Sequence, residues 1–145
     1  MAIGKENDPA VLLAQGRTIL DPAVGPLGYQ PGDILAGRGS GGHFAIGRYE
    51  RADRAIELHV RGGLLMVVYE VGAGRIDHRD WAAFKRLRPA YPGFPDGPLS
   101  GFEHLKADLT GAYEPLIAGR DDEAFRECAS LLRRDPRVFA QRFLP

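Results

Sequence analysis

The chain has 145 residues, the usual size of one domain, and 44% of them are hydrophobic, as in an ordinary globular protein. Its 19 lysines and arginines balance 19 aspartates and glutamates, so it lacks the basic excess that nucleic-acid binders usually have. The single cysteine, Cys128, excludes an intramolecular disulfide and a thiolate metal cluster. We therefore expect one domain over residues 1–145, with no cofactor, no metal and no nucleic-acid partner.

The first predicted element is a helix with Asp8 as its N-cap and Pro9 in its first turn. The N-terminal residues lack the long apolar core of a secretory signal. The longest apolar run of the chain, residues 64–69, is too short to cross a bilayer. We therefore expect a cytoplasmic protein without a membrane partner.

A glycine-rich stretch follows, and residues 37–42, GRGSGG, have the G-x-G-x-x-G spacing of loops that approach nucleotide phosphates. The dinucleotide-binding form of this motif needs a helix after the loop, because the helix N-terminus receives the pyrophosphate. Here the loop leads into HFAIGRY, which alternates as a strand, and the lysine of a P-loop is missing. We therefore predict that this stretch turns the chain.

The clearest signal is an antiparallel meander. Polar and apolar residues alternate strictly over residues 54–61, which predicts a half-buried strand. Two glycines then predict a tight hairpin into a second strand over 64–71. A preceding strand over 44–49 and a short one over 75–78 give a meander of three to four strands.

The pairing register decides which side chains face the core. In the hairpin of strands 54–61 and 64–71, the apolar pattern sets Leu58 opposite Val67 and Val60 opposite Leu65. In the first hairpin it sets Ile46 opposite Leu58 and so predicts that Ile46 faces the core. The opposite face would then carry Ala45, Gly47, Tyr49, Glu57, His59, Arg61, Leu64, Met66, Val68 and Glu70.

Three helices are predicted after the meander, from Asp77 to about Leu87, from about 100 to 118 and from about 121 to 133. Strands and helices thus occupy separate parts of the chain, which is typical of α+β proteins. The predicted fold is a three- to four-stranded antiparallel meander with an N-terminal helix and two to three C-terminal helices.

The face of the sheet with mixed character is the candidate binding surface. Small residues would leave a shallow depression there, and Met66 would add apolar surface beside charged groups, as in protein-docking surfaces. The candidate binding residues are Arg48, Tyr49, Glu57, His59, Arg61 and Met66. The arginines around the first hairpin interleave with acidic residues, so they form either a salt-bridged surface or a site for an acidic partner.

Glu57 and His59 are two residues apart in a strand and therefore point the same way, so they could act as an acid–base pair. No serine or cysteine in a recognisable context supplies a nucleophile, and no His-x-x-x-His spacing indicates a metal. We assign no catalytic residue. The alternative is a small-molecule-binding protein or enzyme with a pocket between sheet and helices that uses this pair. Tyr69 would be its third polar group, but the register places that side chain on the opposite face.

Two segments, FAIGRYERADRAIELHVRGGLLMVVYEVG and YPGFPDGPLSGFEHLKADL, resemble small single-domain bacterial proteins. Some of these are grouped with predicted immunity proteins of polymorphic toxin systems. The resemblance spans about residues 43–110 and includes no catalytic signature. It implies stoichiometric binding of a toxin domain rather than catalysis.

The sequence therefore predicts a non-enzymatic protein-binding module, immunity-like or antitoxin-like, that neutralises a partner by binding it. Tyr49 and Met66 are its expected anchors, because a few desolvated side chains usually dominate the affinity of an interface. A homodimer through the apolar outer residues of 64–68 is a further hypothesis.

Overall fold

The structure is a computed structural model and describes residues 8–140. In chain order, the elements are α1 (Pro9–Val24), a 3-10 turn (Gly25–Leu27), β1 (Gln30–Pro31), β2 (Leu35–Gly39), β3 (Gly42–Arg51), β4 (Arg54–Val60), β5 (Leu64–Val71), β6 (Gly74–Asp77), α2 (His78–Lys85), α3 (Ser100–Leu109), α4 (Glu114–Ala118) and α5 (Asp122–Arg134). This order confirms the α+β class, the N-terminal helix and the C-terminal helices. The predicted helix over 100–118 is divided into α3 and α4.

The described strands form one antiparallel sheet of six, in the order β1-β3-β4-β5-β6, and β2 also pairs with β3. β1 and β2 follow each other along the same edge of β3. The prediction of three to four strands was therefore too low. The two additional strands lie in the glycine- and proline-rich segment, and their short sequences, QP and LAGRG, lack the apolar alternation that indicates a strand.

The β4–β5 hairpin has the predicted register over most of its length, with Leu58 opposite Val67. A bulge after His59 then shifts the pairing, so that Val60 lies opposite Leu64 instead of Leu65. A bulge adds one residue to one strand and thereby redirects the side chain that follows it. As a result, Leu65 is 62% exposed.

The predicted register between β3 and β4 was wrong by one residue, because Gly47, not Ile46, lies opposite Leu58. A shift of one residue exchanges the two faces of a strand. Helix α1 explains why the small residues face inward: a Cβ added to Gly47 would lie 2.8 Å from Cδ2 of the buried Leu13. The prediction that Ala45, Gly47 and Tyr49 line the outer face was therefore wrong.

The described helices pack against one face of the sheet: α1 contacts β3 and β4, α2 contacts β5 and β6, α3 contacts β5 and α5 contacts β6. The core between these layers includes Leu12, Leu13 and Leu20 of α1, Ile56 and Leu58 of β4, Val67 and Tyr69 of β5, Trp81 of α2, Phe102 and Leu105 of α3, and Phe125 of α5. None of the helices described is both long and apolar enough to cross a lipid bilayer. The face of the sheet opposite the helices, which we call the outer face, has no described helix over it.

Candidate functional site

The outer face carries a network of ion pairs, which we call the ionic patch: Arg48, Glu57, Glu70 and Arg75. Arg48 donates to Glu57 at 3.0 Å and to both carboxylate oxygens of Glu70, at 2.9 and 3.0 Å. Arg75 donates to Glu57 at 2.5 Å and also to Glu70. The sheet register builds this network, because Arg48 lies opposite Glu57 and Glu70 lies opposite Arg75.

Both carboxylates of the ionic patch are anionic at neutral pH. Glu57 is only 8% exposed, and burial alone would raise the pKa of its carboxyl. Hydrogen bonds from two arginines and His59 more than offset burial and hold that pKa at about 2. The hydrogen bond from Arg48 is the main reason why the pKa of Glu70 lies below its ordinary value. The charges of the patch are therefore neutralised within the patch itself.

His59 extends from the ionic patch toward an apolar region. Its Nε2 lies 2.7 Å from Oε2 of Glu57, which confirms that the two side chains point the same way. Because Glu57 is anionic, the tautomer assigned to His59 has its hydrogen on Nε2, and this N–H donates a hydrogen bond to the carboxylate. Within residues 8–140, no hydroxyl or thiol is hydrogen-bonded to this imidazole, so the pair lacks the nucleophile of an acyl-transfer site.

The three polar groups named for the alternative small-molecule pocket lie on two faces of the sheet. Glu57 and His59 face away from the helices, whereas Tyr69 is buried on the helix side, as predicted. A pocket between sheet and helices therefore cannot combine these three groups. The register of β4 and β5 separates them.

A hollow of about 260 Å³ lies beside the ionic patch, and we call it the apolar hollow. Its lining consists of Phe44, Ala45, Ile46, His59, Val60, Arg61 and Leu65. The Arg61 guanidinium lies 5.8 Å from the centre of the Phe44 ring and donates to the carbonyl of Gly42 at 3.2 Å. The hollow therefore has an apolar floor and a cationic group at its rim.

A second hollow of about 250 Å³ adjoins the first. Its lining includes His59, Leu65, Met66, Asp77, Arg79 and Tyr91. The two hollows share His59 and Leu65, so they form one concave surface on which Leu65 and Met66 stand 62% and 38% exposed. This surface is the largest departure of the outer face from an ordinary solvated sheet face.

The glycine-rich stretch supports this surface from the edge. Ser40 and Gly41 join β2 directly to β3, so the chain does turn within residues 37–42 as predicted, but residues 37–39 also form the end of β2. Gly37 lies opposite Phe44, and an added Cβ would lie 2.9 Å from the tip of the Phe44 ring. The glycine thus allows this ring to lie over β2 and to line the apolar hollow.

The structure brings most of the predicted binding residues together. Arg48, Glu57 and His59 meet at the ionic patch, and Arg61 and Met66 line the two hollows. Tyr49 does not join them: it is 1% exposed on the core face, and its hydroxyl donates to Asp21 at 2.7 Å. The one-residue error in the β3–β4 register is the reason for this difference.

Sequence reasoning placed Glu70 on the outer face without naming it as a binding residue, and it missed Phe44, Ile46, Leu65 and Arg75. The alternation of Glu70 and Arg75 across a short glycine turn is a signal that could have identified half of the ionic patch. The other three positions depend on α1 and on the β-bulge, and neither leaves a local pattern in β3 or β5.

A second histidine–carboxylate pair lies on the helix side of the sheet. His78 Nε2 is 2.9 Å from Asp108, and His78 Nδ1 is 2.6 Å from the Tyr69 hydroxyl. His78 is 1% exposed, and burial lowers its pKa despite the neighbouring carboxylate. These groups are almost fully buried and are hydrogen-bonded to one another, so they stabilise the contact between the sheet and the helices.

In the part of the chain that the structure describes, no group of three or more histidine, cysteine, aspartate and glutamate side chains is arranged to hold a metal ion. Comparison with known proteins adds no relative: no family model, no curated protein and no solved structure matches this chain.

Proposed function

We propose that this chain is a protein-binding module that holds one partner on the outer face of its sheet and performs no chemistry on it. The observation that carries this proposal is the concave surface around Leu65 and Met66, which begins on the outer face and continues to the start of α2 and to Tyr91. Exposed apolar surface of this kind, rimmed by polar groups, is typical of interaction sites. Removing an exposed leucine side chain from water contributes about 1.5–3 kcal/mol to binding.

The ionic patch supports binding over catalysis. Glu57 accepts hydrogen bonds from Arg48, Arg75 and His59, so its carboxylate has no free role as a base. These bonds instead fix the charged side chains beside the hollows. A surface that is ordered before binding loses less conformational entropy on association, which increases affinity.

An immunity-like or antitoxin-like role is the specific form of this proposal. A neutralising protein covers the active surface of its partner and therefore needs a rigid contact surface rather than a reactive group. The resemblance of about residues 43–110 to predicted immunity proteins favours this form, since those residues include β3, β4 and β5. The partner would then be a toxin domain.

The test compares tagged wild-type protein with two variants as bait in a lysate of the organism that encodes the chain. Leu65→Glu places a charge in the concave surface, and Val11→Glu is the matched control, since Val11 is exposed on α1 on the other side of the sheet. Proteins that co-purify are quantified by mass spectrometry, and both variants are first checked for an unchanged melting temperature.

We expect wild type and Val11→Glu to retain one protein in near-equal amount, and Leu65→Glu to lose it by at least about tenfold, the equivalent of 1.4 kcal/mol. Equal retention by all three baits would contradict the assignment of this surface. The absence of any stoichiometric protein would contradict the proposed function and favour a ligand screen.

A further inference from the structure

Strand β2 leaves one edge of the sheet open. It pairs with β3 on one side, and no described strand lies on its other side. In an edge strand, the backbone N–H and C=O groups of alternate residues point outward and form a template for a further strand. β2 has little protection against such pairing, because its sequence LAGRG contains no proline and one charge, and its register with β3 is unbroken.

The open edge borders the Phe44 ring, which lies over Gly37 of β2 and lines the near side of the apolar hollow. A strand added to β2 would lie about 4.8 Å away, with every second side chain on the outer face. On that face β2 presents Leu35, which is 64% exposed, followed by two glycines, Gly37 and Gly39. Because the glycines have no side chains, a large apolar side chain of the added strand could reach across β2 to the Phe44 ring.

The charge around this edge is positive. Residues 34–49, which include β2 and most of β3, contain no aspartate or glutamate. Arg38 and Arg61 form no ion pair within residues 8–140, whereas Arg48 is neutralised in the ionic patch. Arg61 follows β4 in the chain, and its side chain reaches the turn of the β2–β3 hairpin, where Nη2 lies 3.9 Å from the position that a Cβ on Gly39 would take. An incoming segment with carboxylates would therefore be attracted, and a second copy of this cationic edge would be repelled.

We propose that β2 accepts an extended, anionic segment of the partner protein as an added strand, with an apolar side chain against the Phe44 ring and carboxylates near Arg38 and Arg61. This inference rests on the proposed function and specifies the chemistry of the partner. Backbone hydrogen bonds to β2 would provide affinity, and the Phe44 ring together with Arg38 and Arg61 would provide specificity.

The first experiment uses a synthetic probe, a blocked peptide in which glutamate alternates with valine around a central phenylalanine. The matched control has lysine in place of glutamate. We expect the anionic peptide to bind the full-length protein at least about tenfold more tightly than the cationic one, and the difference to shrink with added salt. Arg38→Glu should remove most of this preference, because the new carboxylate offsets the charge of Arg61. Equal affinity of the wild-type protein for the two peptides, including no binding of either, overturns the proposal.

Two further versions of the anionic peptide test strand addition itself. One is N-methylated on the amides of its odd residues and the other on those of its even residues, so that each has one edge without donors. Strand addition requires that one version binds as well as the parent peptide and that the other does not, with slower amide exchange in β2 when peptide is bound. Equal binding of both versions, unchanged exchange in β2, or a dimer whose β2 amides are already protected overturns the proposal.

The lysate experiment separates this inference from the proposed function. If both Arg38→Glu and Leu65→Glu lose the partner, the proposed function and the strand-addition proposal are both supported. If Leu65→Glu loses the partner while Arg38→Glu keeps it, the outer face binds a protein but β2 does not extend the sheet. If both variants keep the partner, both proposals fail.

Discussion

The molecule contains two histidine–carboxylate pairs of similar geometry in opposite surroundings. His78 lies 2.9 Å from Asp108 on the helix side of the sheet, and His59 lies 2.7 Å from Glu57 on the outer face. The first histidine is fully buried, whereas the side chain of the second is 23% exposed beside a hollow. The comparison teaches that this pair of residue types does not define a role. The role of each pair depends on its access to solvent and on the other hydrogen bonds that its carboxylate accepts.

The buried pair holds the loop between α2 and α3 in place. Asp108 accepts hydrogen bonds from the backbone N–H groups of Ala90 and Tyr91, at 2.7 and 2.9 Å, as well as from His78. Tyr113 stacks on the imidazole with ring centres 4.0 Å apart and donates to the backbone carbonyl of His78 at 2.8 Å. Every polar group of this cluster is thus committed to a structural contact.

Replacing the buried carboxylate should have the largest effect. Asp108→Ala leaves two backbone N–H groups and one imidazole N–H buried without an acceptor, so we expect a loss of about 3–5 kcal/mol in the free energy of unfolding. Urea denaturation measures this loss. Glu103→Ala is the control, because Glu103 is exposed on the same helix, and it should change stability by less than about 0.5 kcal/mol. A loss below about 1 kcal/mol for Asp108→Ala would remove the distinction between the two pairs.

The contribution of the outer pair to stability should appear in the pH dependence of the free energy of unfolding. The pKa of Glu57 is about 2 in the folded protein and 4.5 ordinarily, so the anion is favoured by folding. Its contribution, about 3 kcal/mol, is fully present above pH 4.5 and is lost as the pH falls toward 2. Stability curves of wild type and Glu57→Gln should therefore be well separated at pH 7 and converge near pH 2. Parallel curves over this range would show that the network does not hold the carboxylate anionic.

Substitutions at two glycines, one on each face of the sheet, show how tightly the two faces are packed. A Cβ at Gly47 would meet the buried Leu13 at 2.8 Å, and a Cβ at Gly37 would meet the Phe44 ring at 2.9 Å. We expect Gly47→Ala to cost about 1–3 kcal/mol, because the packed core cannot move aside. Gly37→Ala should cost less than about 1 kcal/mol, because the ring of Phe44 lies at the surface and can turn away. Thermal denaturation measures the loss of stability in both variants. Equal losses would contradict the view that the outer face adapts to an added side chain more easily than the core face does.

The same residues show how far the sequence leads. Alternation in β4 and the two glycines that follow it predict both strands of this hairpin, their mutual register as far as the bulge, and the shared direction of Glu57 and His59. In β3, hydrophobicity predicts that Ile46 faces inward rather than Gly47, and this is wrong. The deciding fact is the close approach of α1, which is distant in sequence and invisible in the local pattern.

The candidate surface is less predictable than the fold for a similar reason. The four residues of the ionic patch lie on four different strands and meet only when these strands pair in register. In the sequence of any single strand they are isolated charges. Leu65 is exposed because of one bulge, and β2 has no apolar alternation to indicate a strand at all. Local patterns thus predict elements, whereas the surface arises from how the elements are paired.

The smallest predicted effect concerns the rim of the ionic patch. The Arg75 side chain is 49% exposed, and Glu57 keeps its hydrogen bonds from Arg48 and His59 when Arg75 is replaced. We therefore expect Arg75→Gln to cost about 0.5–1 kcal/mol, and the loss to shrink in 1 M salt, where the screening length is about 3 Å. Arg88→Gln, at an exposed position outside the patch, is the control for general charge effects. A loss above about 2 kcal/mol that salt does not reduce would mean that the outer network is as rigid as the buried one, and the surface would then be part of the scaffold rather than a site for a partner.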